Sequence, residues 1–150
     1  MTSGVLFLFF FSLSPLAAQV EPQASEAGEA VRFYMDCRAS GCDVEYIRTE
    51  IQFVNHVRDI QDSDVYLEAT SLATGGGGRS AELIFQGRGR FEGMTDTLTY
   101  VSTFDATGDE LREGLTRLIK IGLMRFVGLT PIAERLQISL VNPDAMRSPS

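Results

Sequence analysis

Val65-Tyr66-Leu67-Glu68-Ala69-Thr70 decides the fold class. Val65, Leu67 and Ala69 alternate with Tyr66, Glu68 and Thr70, which is the period-two pattern of a strand with one buried face. Downstream, Thr74-Gly-Gly-Gly-Gly-Arg79 is a turn, and a second strand is expected around 81–87. Phe91-Glu-Gly-Met-Thr-Asp96 marks another turn, and Thr97–Thr103, rich in Thr, Tyr and Val, predicts a third strand. Thr107-Gly-Asp-Glu110 has the form of a capping box. A helix with Leu111, Leu115, Leu118 and Ile119 on one face follows, with Glu113 and Arg117 spaced for an ion pair. Gly122 costs this helix about 1 kcal/mol against Ala, which points to a close packing contact. Pro131 breaks the pattern, and Gln137-Ile-Ser-Leu-Val141 predicts a last strand.

Upstream, Val31-Arg-Phe-Tyr-Met35 is a short β-type run, and Ser40-Gly41 makes a turn. Asp43 is placed to cap a helix carrying Val44, Ile47, Ile51, Val54 and Val57, ended by the polar stretch Asp59–Asp64. The expected order is β-α-β-β-β-α-β. Right-handed crossovers put both helices on one side of one mixed sheet, giving a two-layer α/β sandwich.

The first twenty residues carry no charged side chain. Val5 to Leu13 is an apolar run, followed by Pro15 and the small pair Ala17-Ala18. This is the layout of a secretory signal peptide over 1–18, too short for the ~20 apolar residues of a membrane span. The alternative is a buried N-terminal strand or helix. Residues 19–30 read as a flexible leader, 31–141 as a single α/β domain and 142–150 as a disordered tail. The net charge is −7, from 20 acidic and 13 basic residues. Nucleic-acid binding needs clustered Lys and Arg, so it is not expected. The basic amphipathic helix of a membrane-surface protein is also missing.

Cys37 and Cys42 flank Arg-Ala-Ser-Gly. In an oxidising compartment this pair reads as a disulfide, with free thiols or a redox role as the alternatives. Zinc wants four ligands, whereas the chain offers two thiols and one His. The Gly75–Gly78 run lacks the Lys and following helix of a phosphate loop. Asp59, Asp62 and Asp64 cluster near a turn without the EF-hand pattern. His56 and Asp59 could pair as a base and its orienting acid on one helix face. No cofactor, metal or catalytic set is expected.

Several stretches carry a resemblance: Tyr34-Met-Asp36-Cys37, Cys42-Asp43-Val-Glu-Tyr46-Ile-Arg48-Thr-Glu50-Ile51, Phe53-Val-Asn55-His-Val-Arg58-Asp59, Thr74-Gly-Gly-Gly-Gly-Arg79 and Gly122-Leu-Met-Arg125-Phe126. Together they resemble the N-terminal α/β module of an uncharacterised family of exported, outer-membrane-associated proteins of Gram-negative, Bacteroidota-like bacteria. The resemblance covers about residues 31–141. It implies a longer protein with a C-terminal segment like an outer-membrane β-barrel, and it carries no catalytic residues. In element order the chain is also similar to the N-terminal domain of the translocation protein TolB and to the curli secretion lipoprotein, which implies envelope assembly. No Cys directly follows the signal region, so a lipid anchor is not expected.

These readings converge on a non-enzymatic periplasmic or cell-envelope interaction module. Its expected partner is an envelope protein or its own C-terminal domain. The alternative is a small-ligand or hydrolytic domain with a site near His56, Asp59 and the Gly75–Gly78 loop. The docking surface is expected at Leu123, Met124, Phe126 and Val127, because Ile121–Val127 is apolar nearly all round.

Overall fold

A computed structural model of the chain describes Met1, Gly4, residues 30–72 and residues 74–139. The expected signal peptide and leader, apart from Met1, Gly4 and Ala30, and the expected tail lie outside the described residues.

Among the described residues, five strands form one mixed sheet in the order β2-β1-β3-β4-β5. They are β1 (Val31–Cys37), β2 (Val54–His56), β3 (Val65–Leu72), β4 (Ser80–Gly87) and β5 (Thr95–Val101). β1 lies parallel to β2 and to β3, with Val31 opposite Val54 and Phe33 opposite Val65. β3, β4 and β5 form an antiparallel meander, with Leu67 opposite Phe85 and Leu83 opposite Leu98. The alternation at Val65–Thr70 does what its pattern dictates. Val65, Leu67 and Ala69 are fully buried, while Tyr66, Glu68 and Thr70 are only partly covered.

Two helices, α1 (Val44–Glu50) and α2 (Gly108–Val127), cover one face of the sheet. Ile47 from α1 and Leu115, Ile119, Leu123 and Phe126 from α2 join Phe33, Leu67, Leu83 and Phe85 in one core. The helices are also tied to each other. Arg112 lies over the Tyr46 ring at 4.5 Å, and Lys120 pairs with Glu50 at 2.9 Å. The capping box forms as expected, with Thr107 and Glu110 each accepting from the other's backbone N–H. Gly122 earns its place because a Cβ there would stand 2.3 Å from the Phe85 ring.

Two elements differ from the sequence expectation. The first helix stops at Glu50, and Ile51 closes it with an N–H donated to the Ile47 carbonyl. Val54–His56 then becomes strand β2. Ile51 and Val54 are buried as a helical stripe would bury them, but β-branched Val54 reaches the core from an extended backbone paired with β1. The second difference is at the C-terminal end. Pro131–Arg135 is a 3-10 turn, and Gln137, Ile138 and Ser139 carry no strand pairing. Leu140 and Val141 lie outside the described residues.

Candidate functional site

The sequence-predicted site residues scatter. Leu123, Phe126 and Val127 are fully buried, and only Met124 of the proposed patch reaches the surface. The reason is geometric. Their face of α2 sits over β4 and the 89–94 turn, where Phe126 meets Phe91 edge-on at 5.5 Å, and Leu136 folds against the same core. The exposed apolar residues of this region are instead Ile121 and Leu129.

His56 and Asp59 do not share a helix face. The Nε2 of His56, at the end of β2, donates to the Ile51 carbonyl at 2.7 Å. Burial lowers the His56 pKa, the Ile51 carbonyl opposes that, and Arg48 adds to the lowering. Asp59 instead caps its own turn, accepting from the Gln61 N–H at 2.8 Å. His56 lines a cleft of about 300 Å³ with Arg48, Arg58 and Tyr34, and neither Asp59 nor the glycine loop is part of it. The Gly75–Gly78 loop joins β3 to β4 and is largely exposed, with Gly77 at φ +77°.

The acidic cluster also separates. Asp64 is buried, with only 3% of its side chain exposed, and it is satisfied by arginine. It accepts from the Arg32 backbone N–H at 3.0 Å, from Arg32 Nη2 at 2.8 Å and from Arg90 Nη2 at 3.0 Å. Burial pushes its pKa up, and the Arg32 and Arg90 interactions overcome that and hold it below the usual carboxylate range. Arg90 also donates to the Ala30 carbonyl. This node fastens the starts of β1 and β3 to the β4–β5 turn. No group of three or more His, Cys, Asp or Glu suited to a metal ion occurs among the described residues. Cys37 and Cys42 do come together, at disulfide distance with Cα atoms 6.0 Å apart.

The feature that sequence reasoning missed is the far edge of the sheet. β5 is seven residues long, and among the described residues it pairs with β4 alone. Beside it runs a groove of about 560 Å³, lined by Tyr100 and Val101 from the strand and by Glu110, Gly114, Arg117, Leu118 and Ile121 from α2. Val101 is 67% exposed and Ile121 56%. Arg117 lines this groove rather than pairing with Glu113. Asp96 faces the helix layer, where Arg125 meets it at 3.4 Å. The side chains on the other face, Thr95, Thr97, Thr99 and Val101, are uncharged and exposed. The Thr alternation at 95, 97 and 99 marks a strand with one solvent-facing side, as in interior β3, and it does not by itself distinguish an edge strand from an interior one.

Compared with known protein families, curated proteins and solved structures, the chain matches none. No helix among the described residues is long and apolar enough to cross a membrane.

Proposed function

We propose that this chain is a non-enzymatic interaction module of the cell envelope, exported to the periplasm or the outer membrane, and that it docks through the β5 edge. The observation that carries this reading is the seven-residue strand beside the α2 groove, whose outer side pairs with no strand among the described residues. Such an edge offers a row of backbone donors and acceptors that pairs with another strand. The Cys37 and Cys42 pair at disulfide distance supports an oxidising compartment. The partner class is an envelope protein or the C-terminal part of a longer protein containing this module.

A photo-crosslinking side chain placed at Thr99 in living cells tests the reading. Adducts are expected in the envelope fraction from Thr99 and not from Asn55, which lies at the opposite edge on β2. A chain that stays in the cytosol with freely alkylated thiols, or that gives no adduct at Thr99, would overturn it.

A second reading rests on the cleft at His56. Two guanidinium groups, Arg48 and Arg58, line it and supply its donors, since the His56 Nε2–H is already given to the Ile51 carbonyl. That donor set suits a small anion, and a chemical-shift titration with inorganic phosphate tests it. Unmoved His56, Arg48 and Arg58 signals would remove this reading.

A further inference from the structure

We propose that the β5 edge is filled by β5 of a second copy, so that two five-stranded sheets become one continuous sheet across a two-fold axis. The inference rests on the reading above that β5 is the docking edge, and it names the occupant.

The hydrogen-bond direction along β5 is fixed at both ends. Gly87 donates to the Met94 carbonyl, and the Ser102 N–H donates to the Arg79 carbonyl. In an antiparallel ladder the direction alternates, so even-numbered positions from 94 to 102 point at β4. The N–H and C=O groups of Thr95, Thr97, Thr99 and Val101 therefore point out of the sheet. One of these donors, the Thr97 N–H, is held locally by the Asp96 carboxylate at 3.0 Å. Only another extended backbone matches the whole row.

The edge is complementary to itself. Antiparallel pairing centred on Thr99 sets outward groups against outward groups, with Thr97 opposite the partner's Val101. A two-fold axis perpendicular to the sheet keeps both α2 helices on the same face. Each α2 runs antiparallel to its own β5, because Asp96 meets Arg125 while the Tyr100 hydroxyl donates to the Glu110 carbonyl. The two α2 helices therefore face each other antiparallel across the groove. Glu110 and Arg117 both line that groove, seven residues or about 10 Å apart along the helix axis. The two-fold sets Arg117 of each copy toward the partner's Glu110, and it covers Leu118 and Ile121. A foreign strand would satisfy the backbone but would have no built-in answer to this charge pair. The outward side chains of β5 include no Lys, Glu or Pro of the kind that normally blunts an edge.

Sedimentation of the purified chain over a range of concentrations tests this. The expected mass rises from that of one chain toward about twice that value. Thr99→Pro removes one outward N–H, and Ile121→Glu puts a charge into the groove without touching the core. Each is expected to weaken the dimer at least about tenfold, and Ile121→Glu is expected to keep the circular dichroism spectrum of the parent. Arg117→Glu should weaken association too, whereas Glu113→Lys, on a residue of the same helix that does not line the groove, should leave it unchanged. A chain that stays monomeric at ~1 mM, or a dimer indifferent to Ile121→Glu and to Arg117→Glu, would overturn the proposal. If the purified chain is monomeric while Thr99 still cross-links a different envelope protein in cells, the dimer falls and the interaction reading stands. If neither association is seen, both fall.

Discussion

The two halves of the sheet are held together by different means. The parallel half, β2-β1-β3, is stitched by polar and sulfur chemistry. Asp64 collects Arg32 and Arg90 at its lower end, and Cys37 and Cys42 meet at its upper end. The antiparallel half, β3-β4-β5, is held by apolar contact with α2, with Phe85 pressed against Gly122 and Tyr100 against Gly114. Their outer edges differ too. β2 is three residues long and offers little to pair with, whereas β5 offers seven. The half with the most side-chain stitching ends in a short edge, and the half held by packing ends in the edge open to a partner.

Overpacking the antiparallel half should have the largest effect. Gly122→Val drives its side chain into a fully buried Phe85 ring that has nowhere to retreat. The expected loss is about 3 kcal/mol, read from urea unfolding at unchanged slope. An unaltered midpoint would show that the two halves are not divided in this way.

The parallel half should answer next, through Asp64→Asn, with an expected loss of about 2 kcal/mol. The figure is moderate because Arg32 and Arg90 are partly exposed and regain water when the carboxylate is lost. Asp62→Asn, on an exposed neighbour, should change stability by no more than about 0.5 kcal/mol. Equal effects at the two positions would dissolve the node. Acid sharpens the same point. The folded Asp64 pKa lies below the ordinary 3.8, so its contribution is fully present above that pH and disappears as pH falls through the folded value. Asp64→Asn should therefore lose less stability on acidification than the parent does.

The sulfur stitch closes a loop of only five residues' separation, and Cys37→Ser with Cys42→Ser removes it. Chain entropy assigns it about 2 kcal/mol at most, and the helix start at Asp43 should be the part that loosens in hydrogen exchange. Loosening centred on β5 instead would contradict the division.

The smallest effect belongs to His56. Its folded pKa lies below 6.5, with burial as the main cause. The unfolded chain then binds the proton more readily, so stability is fully present above pH 6.5 and declines as pH falls below it. His56→Gln should flatten that slope between neutral and mildly acidic pH. An imidazole signal titrating above 6.5 would show that the cleft is wetter than its geometry indicates.

Much of this architecture is written in local patterns. The alternation at Val65–Thr70, the glycine turn and the Thr107–Glu110 capping box are short-range devices, and each reads directly. Ile51 and Val54 misled for a physical reason. Helical and extended backbones can both deliver residues 47, 51 and 54 to one core, so period alone cannot separate one long helix from a short helix followed by an edge strand. Leu123, Phe126 and Val127 misled differently. An all-apolar helical turn reads as a patch only if nothing covers its second side, and the 89–94 turn and the Pro131–Leu136 segment do so here. Asp64 looked like one of three similar aspartates, because its partners Arg32 and Arg90 are 32 and 26 residues away in sequence. The β5 edge depends on strand order, which no stretch of the chain states by itself.

The position of β1 has a consequence for the order of events in folding. It is the first strand among the described residues, and both its neighbours come later, at 54–56 and 65–69. The meander β3-β4-β5 closes through short turns, whereas β1 must find Val65 across about thirty residues, an entropically slower search. Cys37 and Cys42 are only five positions apart, so they can meet while β1 still has no neighbour. We therefore expect a bridge that forms early and a central strand that is seated late. Pulse-labelled hydrogen exchange during refolding should protect Leu83 and Leu98 before Phe33, and the reverse sequence would show that β1 templates the sheet.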